Sequence, residues 1–273
     1  MYKRAKHEGY TLSMILRYGP SEGSRVKILL AVFVFSSLIP FPLAAQTAEE
    51  IIRRSEDRIK GTTCSGSFVM TVVTPDYTRR MEMESWWVGN EKALIVIRAP
   101  KKEAGNKTLK IGNEMWMYLK NTETTIKIPP SMMLQSWNGS DFTNDDLVRE
   151  SNLVEDYIHE MAGEETADGE ACWKIRLTPK SSTAVVWGKL VYLVRKKDYL
   201  PARVEYYDEK GKLMRELRFS DVKTMGGRTI PTKWTMVNRV KPGHRTEFQI
   251  TRIAFDIRIK DKIFSFQELE RGS

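Results

Sequence analysis

Apolar and polar residues alternate with a period of two along most of this chain, in short runs broken by Gly-, Asn- and Pro-containing turns. The clearest run sets Met81, Met83, Ser85 and Trp87 against Arg80, Glu82, Glu84 and Trp86. A period of two puts successive side chains on opposite faces of a strand. Phe68–Val73, Ala93–Ala99, Thr108–Ile111, Glu114–Leu119 and Thr125–Ile128 read as further strands. So do Tyr157–Met161, Ala171–Thr178, Leu190–Val194, Ala202–Tyr207, Leu213–Phe219, Ile230–Val237 and Thr246–Ile257. Turns such as Gly89-Asn90, Gly112-Asn113, Ala167-Asp168-Gly169 and Lys241-Pro242-Gly243 are short enough for antiparallel neighbours. In the last strand the apolar positions slip from even (Phe248, Ile250) to odd (Ile253, Phe255, Ile257), which predicts one extra residue, a bulge, near Thr251.

Alternation fails in two places. Thr47-Ala48-Glu49-Glu50 is a capping box, followed by Ile51, Ile52, Ser55 and Ile59 at helical spacing and stopped by Gly61. From Ser131 to about Asn152 no strand period is visible, and Thr143 with Asp146 three residues later starts a second helix. The predicted fold is therefore mainly β: an incomplete, unclosed antiparallel barrel of roughly eleven to thirteen strands, with a few helices covering the concave face. An open sheet of more than about ten twisted strands must curl or split.

The start of the chain has a different grammar. Arg25 and Lys27 precede the apolar run Ile28–Phe35, which continues through Leu38 and Ile39 to Pro40 and Pro42 and ends in Leu43-Ala44-Ala45-Gln46. A basic flank, a short apolar stretch and small residues before a cut are the marks of a secretory signal. A retained anchor is the alternative, although a spanning helix wants about 20 apolar residues. Residues 1–45 are thus expected to be a signal peptide, with Met14 an alternative start, and residues 46–273 a single exported domain. Gln46 rather than Cys follows the cut, so the chain does not read as a lipoprotein itself. Of the formal charge of +9, the first 45 residues hold +4. The remaining lysines and arginines are spread along strands, so no nucleic-acid partner is expected. Transient contact with an anionic membrane surface stays open. Export permits disulfides, yet strand parity sends Cys64 and Cys172 to opposite faces of the sheet.

Seven of the 13 methionines fall between residues 70 and 133. Methionine is flexible and polarisable and suits either an irregular core or a surface that must fit floppy apolar partners. Both readings stand: a packed core, or an acyl-chain cavity between sheet and helices, with Trp86, Trp87, Trp116 and Trp137 compatible with either.

Met115-Trp116-Met117-Tyr118, Ile126-Lys127-Ile128-Pro129 and Gly139-Ser140-Asp141-Phe142-Thr143-Asn144-Asp145-Asp146-Leu147 resemble the LolA-like family of outer-membrane lipoprotein-sorting proteins, which carries a W-x-Y strand, a basic linker and a G-S-D-F motif at a helix. Two departures stand out: Lys120 replaces a usual proline, and the Arg-rich linker is reduced to Asn121–Thr125. The resemblance implies a periplasmic carrier that holds the acyl chains of lipoproteins or lipids in a lidded hydrophobic cavity. It also implies an inner-membrane donor, an outer-membrane acceptor and no cofactor or metal. Shielding has a clear physical motive, since each methylene exposed to water costs about 0.8 kcal/mol.

On this reading the cargo-contacting positions are Phe68, Met70, Met81, Met83, Trp87, Met115, Met117, Met132, Met133, Trp137, Phe142 and Leu147. Arg98, Thr143 and Asp146 belong to the lid and its helix cap. For the G-S-D-F stretch a structural role is the alternative, with Thr143 capping a helix, Asp145 and Asp146 favouring its positive end and Phe142 anchoring the loop. Arg98 either bonds lid carbonyls or extends to solvent.

Catalysis has few candidate groups. His159 and Glu160 are neighbours on a strand and point to opposite faces, and no phosphate loop, nucleophile elbow or H-E-x-x-H occurs. The chain is therefore not expected to be an enzyme. A non-transport envelope adaptor or structural subunit built on the same fold is the competing reading.

Overall fold

The computed structural model describes residues 46–149, 153–181 and 186–271. The expected signal peptide and the last residues of the 131–152 insertion lie outside the described residues.

Helix α1 (Ala48–Ile59) begins with the reciprocal cap read from the sequence: Glu50 N–H donates to Thr47 Oγ1 at 3.2 Å, and Thr47 N–H donates to the Glu50 carboxylate at 3.0 Å. Thirteen strands follow. They are β1 (Thr63–Val73), β2 (Thr78–Val88), β3 (Lys92–Ala99), β4 (Lys107–Ile111), β5 (Glu114–Leu119), β6 (Thr124–Lys127), β7 (Tyr157–Ala167), β8 (Glu170–Pro179), β9 (Lys189–Arg195), β10 (Pro201–Tyr207), β11 (Leu213–Met225), β12 (Arg228–Asn238) and β13 (Arg245–Phe255). All pairings are antiparallel. The expected bulge is present: Ser67 pairs with Arg252 but Phe68 with Ile250, so Thr251 is the unpaired extra residue.

The strand order is β6-β5-β4-β3-β2-β1-β13-β12-β11-β10-β9-β8-β7. The first and last strands pair in the middle of the sheet, and its two edges, β6 and β7, are consecutive in sequence. The sheet does not close, so the segment joining those edges must cross the open side. That segment carries short 3-10 turns at Pro130–Met132 and Trp137–Gly139 and helix α2 (Asn144–Arg149). The irregular stretch in the sequence is therefore the cover of an unclosed barrel.

α1 lies on the inner face of the β7–β12 half, where Ile51 and Ile52 are buried with Leu190, Tyr192, Tyr206 and Met236. On the other half Met70, Val72, Met81, Met83, Ile95 and Ile97 pack with Trp137 from the cover. One correction to the sequence reading concerns the C-terminal segment, which was not expected to add helices. Residues 261–264 form a 3-10 turn and α3 (Phe266–Glu270) follows, started by Ser265, whose hydroxyl accepts from Glu268 N–H. Phe264 and Leu269 bury the outer face of β3–β5 against Leu94, Val96, Leu109 and Tyr118. Strand β3 is thereby buried on both faces, which explains its continuous apolar run.

Candidate functional site

A cavity of about 260 Å³ lies on the inner face of the sheet. Ile95 on β3 and Val204 on β10 both line it although five other strands separate β3 from β10 in the sheet, so the sheet curls around this space. Phe68, Met83 and Trp87 form one wall, Leu217, Phe219 and Trp234 another, and Phe248 and Ile250 the floor between them. Trp137, Phe142 and Leu147 close it from the cover side.

Six of the twelve positions expected to meet cargo line this space: Phe68, Met83, Trp87, Trp137, Phe142 and Leu147. The other six do not. Met70 and Met81 are fully buried among side chains of the β1–β3 wall. Met115 and Met133 are buried with Ile128, and Met117 and Met132 pack against them, in a separate cluster beneath the cover. The methionines thus mostly seat the cover on the sheet.

The cover is fastened by polar contacts that account for the G-S-D-F stretch residue by residue. Ser140 Oγ donates to Trp137 O at 2.7 Å and accepts from Phe142 N–H at 3.2 Å. The Asp141 carboxylate accepts from Thr246 Oγ1 at 2.9 Å and Asn238 Nδ2 at 3.1 Å, tying the loop to β13 and β12. Phe142 meets the edge of Phe248, with ring centroids 5.0 Å apart. Thr143 Oγ1 accepts from Asp146 N–H at 3.2 Å, while the Asp146 carboxylate accepts from Thr143 N–H at 2.6 Å. Asp146 also forms a two-pronged ion pair with Arg215 on β11, in which the side chains are 4% and 6% exposed. The Arg215 guanidinium lies over the adjoining Trp187 and Tyr206 rings, 4.5 and 4.4 Å from their centroids, and donates to Asp141 O at 3.2 Å.

Arg98 must be corrected. It shares the outer-face parity of Leu94 and Val96 and ion-pairs with Glu84 at 2.8 Å, away from the cover. The arginines that hold the cover are Arg215 and Arg79, whose guanidinium donates to Asn138 O. A Cβ at Gly139 would stand 3.1 Å from Arg79 Nη2 on a backbone of φ +68°, so this position favours glycine.

One end of the cavity is polar. There the C-terminus of α1, the start of β1, the β2–β3 turn and β4 contribute Glu56, Lys60, Cys64, Asn90 and Lys110. Glu56 pairs with Lys60 and accepts from Tyr192 OH at 3.3 Å. Lys110 is 2% exposed and its ammonium donates to Asn90 O. Burial lowers its pKa to about 8, with the repulsion of Lys60 adding to the fall and Glu91 opposing it. Sequence reasoning missed Lys110, because Thr108-Leu109-Lys110-Ile111 looks like a strand with one wet face.

Both cysteines are free, and Cys172 packs with Ala167, Leu193 and Ala202 away from the cavity. Burial pushes the Cys64 thiol up to about 11, with Asp256 adding to the rise and Arg228 opposing it. Only the thiolate attacks alkylating reagents. Iodoacetamide at pH 8 should therefore modify Cys64 about 100-fold more slowly than a free cysteine, and occupation of the cavity should slow it further; mass-spectrometric time courses measure both.

The catalytic candidates are not brought together. His159 Nε2 lies 2.9 Å from Leu153 O, whereas Glu160 ion-pairs with Arg176 at 3.4 Å in solvent. Among the described residues no group of three His, Cys, Asp or Glu side chains is placed to hold a metal.

A curled, unclosed sheet with a helical cover over an apolar space defines the LolA-type architecture, and solved structures agree. A DUF1329 family protein from Desulfovibrio piger superposes with a TM-score of 0.74 at 23% identity, over 81% of this chain and 97% of that one. A LolA superfamily protein from Nitrosomonas europaea gives 0.71 at 22% identity, over 82% and 100%. A candidate outer-membrane lipoprotein-sorting domain from Vibrio parahaemolyticus gives 0.72 at 21% identity, over 82% and 98%. At these identities the likeness is one of fold. No curated protein matches the chain. A family model described as "-like: Uncharacterized protein" matches residues 89–271, and the chain belongs to that family.

Proposed function

We propose that this protein is an exported periplasmic carrier, in which the cavity between sheet and cover shields acyl chains of lipoproteins or lipids from water during transfer toward the outer membrane. The observation that carries the reading is the cavity itself: walls of Phe, Trp, Leu, Ile and Met side chains, roofed by a segment fastened at defined polar contacts. A packed protein interior leaves few voids larger than a water molecule, so an apolar space of this size asks for an occupant. Export rests on the signal-like segment of residues 1–45. No helix among the described residues is long and apolar enough to cross a membrane. Loading and unloading would come from an inner-membrane donor and an outer-membrane acceptor.

Delipidated protein is expected to take up a fluorescent fatty acid, and protein purified without detergent to carry lipid visible by native mass spectrometry. Leu217→Phe fills the cavity from its wall and should weaken uptake at least tenfold, whereas Lys210→Glu on an exposed turn leaves it unchanged. No uptake by the delipidated protein, or equal loss at both positions, would favour a non-transport envelope adaptor.

A further inference from the structure

The polar end of the cavity has a chemistry that acyl shielding alone does not require. Its one buried carboxylate, Glu56, is already paired with Lys60 and bonded by Tyr192. Lys110 is the other buried charge. Its ammonium has three protons to donate, meets one carbonyl acceptor, and forms no ion pair among the described residues. A buried ammonium with a single hydrogen-bond acceptor is costly unless a counter-charge is brought to it. The lining adjacent to it is otherwise apolar or already satisfied: Trp87 Nε1 donates to Ser85 Oγ at 2.8 Å.

The rest of the lining supplies the other half of a ligand. Met83, Leu217 and Phe248 line the same space as Lys110, so a charged head and an alkyl tail can be met at once.

Resting on the carrier reading above, we infer that this protein takes an anionic amphiphile, with its carboxylate or phosphate head against Lys110 and its tail along the Met83, Phe248 and Leu217 walls. The shared chemistry is a compact oxyanion joined to an alkyl tail. A free fatty acid and a lipid phosphate both supply it.

The test is displacement of a fluorescent fatty acid from delipidated full-length protein by decanoate, decyl phosphate, decanol and acetate. Decanoate or decyl phosphate should bind at least tenfold more tightly than decanol, and whichever of the two binds more tightly identifies the head. Lys110→Gln should bring the anionic ligands down to the affinity of decanol while leaving decanol unchanged, and Lys110→Arg should keep the preference. Thermal melts of both variants establish that they are folded. Equal binding of decanoate, decyl phosphate and decanol by the wild type, unaltered by Lys110→Gln, overturns the inference and leaves the carrier standing. Acetate binding as tightly as decanoate also overturns it, since that is an ion site without a tail. If no alkyl ligand binds at all, the carrier reading itself fails.

Discussion

Asp146→Ala is expected to cost about 3–5 kcal/mol of folding free energy, the largest effect of any single polar substitution in the cover. The Asp146–Arg215 pair is almost wholly removed from solvent. Removing one partner strands the other charge in a low dielectric, and that penalty is what mutation of buried pairs exposes. Arg215 is also packed against the neighbouring Trp187 and Tyr206 rings, contacts it would give up by swinging outward. Asp146 also accepts from Thr143 N–H, so the variant loses this reciprocal half of the α2 cap as well, while Thr143 Oγ1 still accepts from the residue 146 N–H. Urea denaturation with an unchanged m-value measures the loss, and limited proteolysis within residues 130–149 locates it. A double variant, Asp146→Leu with Arg215→Met, should recover much of the deficit, since two well-packed apolar side chains leave no orphaned charge. A loss below about 1 kcal/mol in the single variant would mean that the pair is not what holds the cover down.

Lys110→Met, by contrast, should raise stability by roughly 2–3 kcal/mol at pH 7, and the gain should vanish as the pH climbs. In the unfolded chain a lysine releases its proton near 10.5; in the folded protein Lys110 does so at about 8. Between those values the unfolded state binds the extra proton, so this residue makes the wild type more stable as pH rises. Below pH 8 its full cost is present. At about 1.36 kcal/mol per pH unit, the fall from 10.5 to about 8 sets an upper figure of about 3 kcal/mol. The methionine variant lacks the linkage, so the gap between the two proteins closes from pH 8 to 10.5. Cys64 and Tyr207, raised to about 11 and about 12, lower stability at the alkaline end in both proteins and cancel in the difference. Denaturant melts at pH 7, 9 and 10.5 follow the gap. A constant gap would show that Lys110 titrates as it does in water.

Much of the architecture was written in local pattern. The Met81–Trp87 alternation, the capping box at Thr47 and the parity slip at Thr251 each specify geometry through neighbours one to four residues away, and each appears in the fold. What escaped depends on distant partners. β7 and β11 run on to Ala167 and Met225 through polar stretches that bury little on either face, so no hydrophobic period marks them. The outer cover of β3–β5 was missed, although Ser265-Phe266-Gln267-Glu268 is a readable helix start. Most instructive is β4. Period two assigns Leu109 and Lys110 to opposite faces correctly, but cannot say that both faces are covered. Nothing in the pattern therefore singles out Lys110. The same ambiguity put Met115 and Met117 in the cargo set and Arg98 at the lid, since parity names a side without naming what stands opposite it.

The pairing of β1 with β13 has a consequence for how the molecule is made. Cys64 finds its partner Phe255 only when nearly the whole chain is available, so a chain that emerges N-terminal end first leaves β1 with one bare hydrogen-bonding rim until its last strands arrive. Unpaired strand rims recruit other chains, and contacts so remote in sequence form slowly. Each half of the sheet must first zip as its own meander, and the late meeting of the two termini is the step at which a holding chaperone would have most to guard.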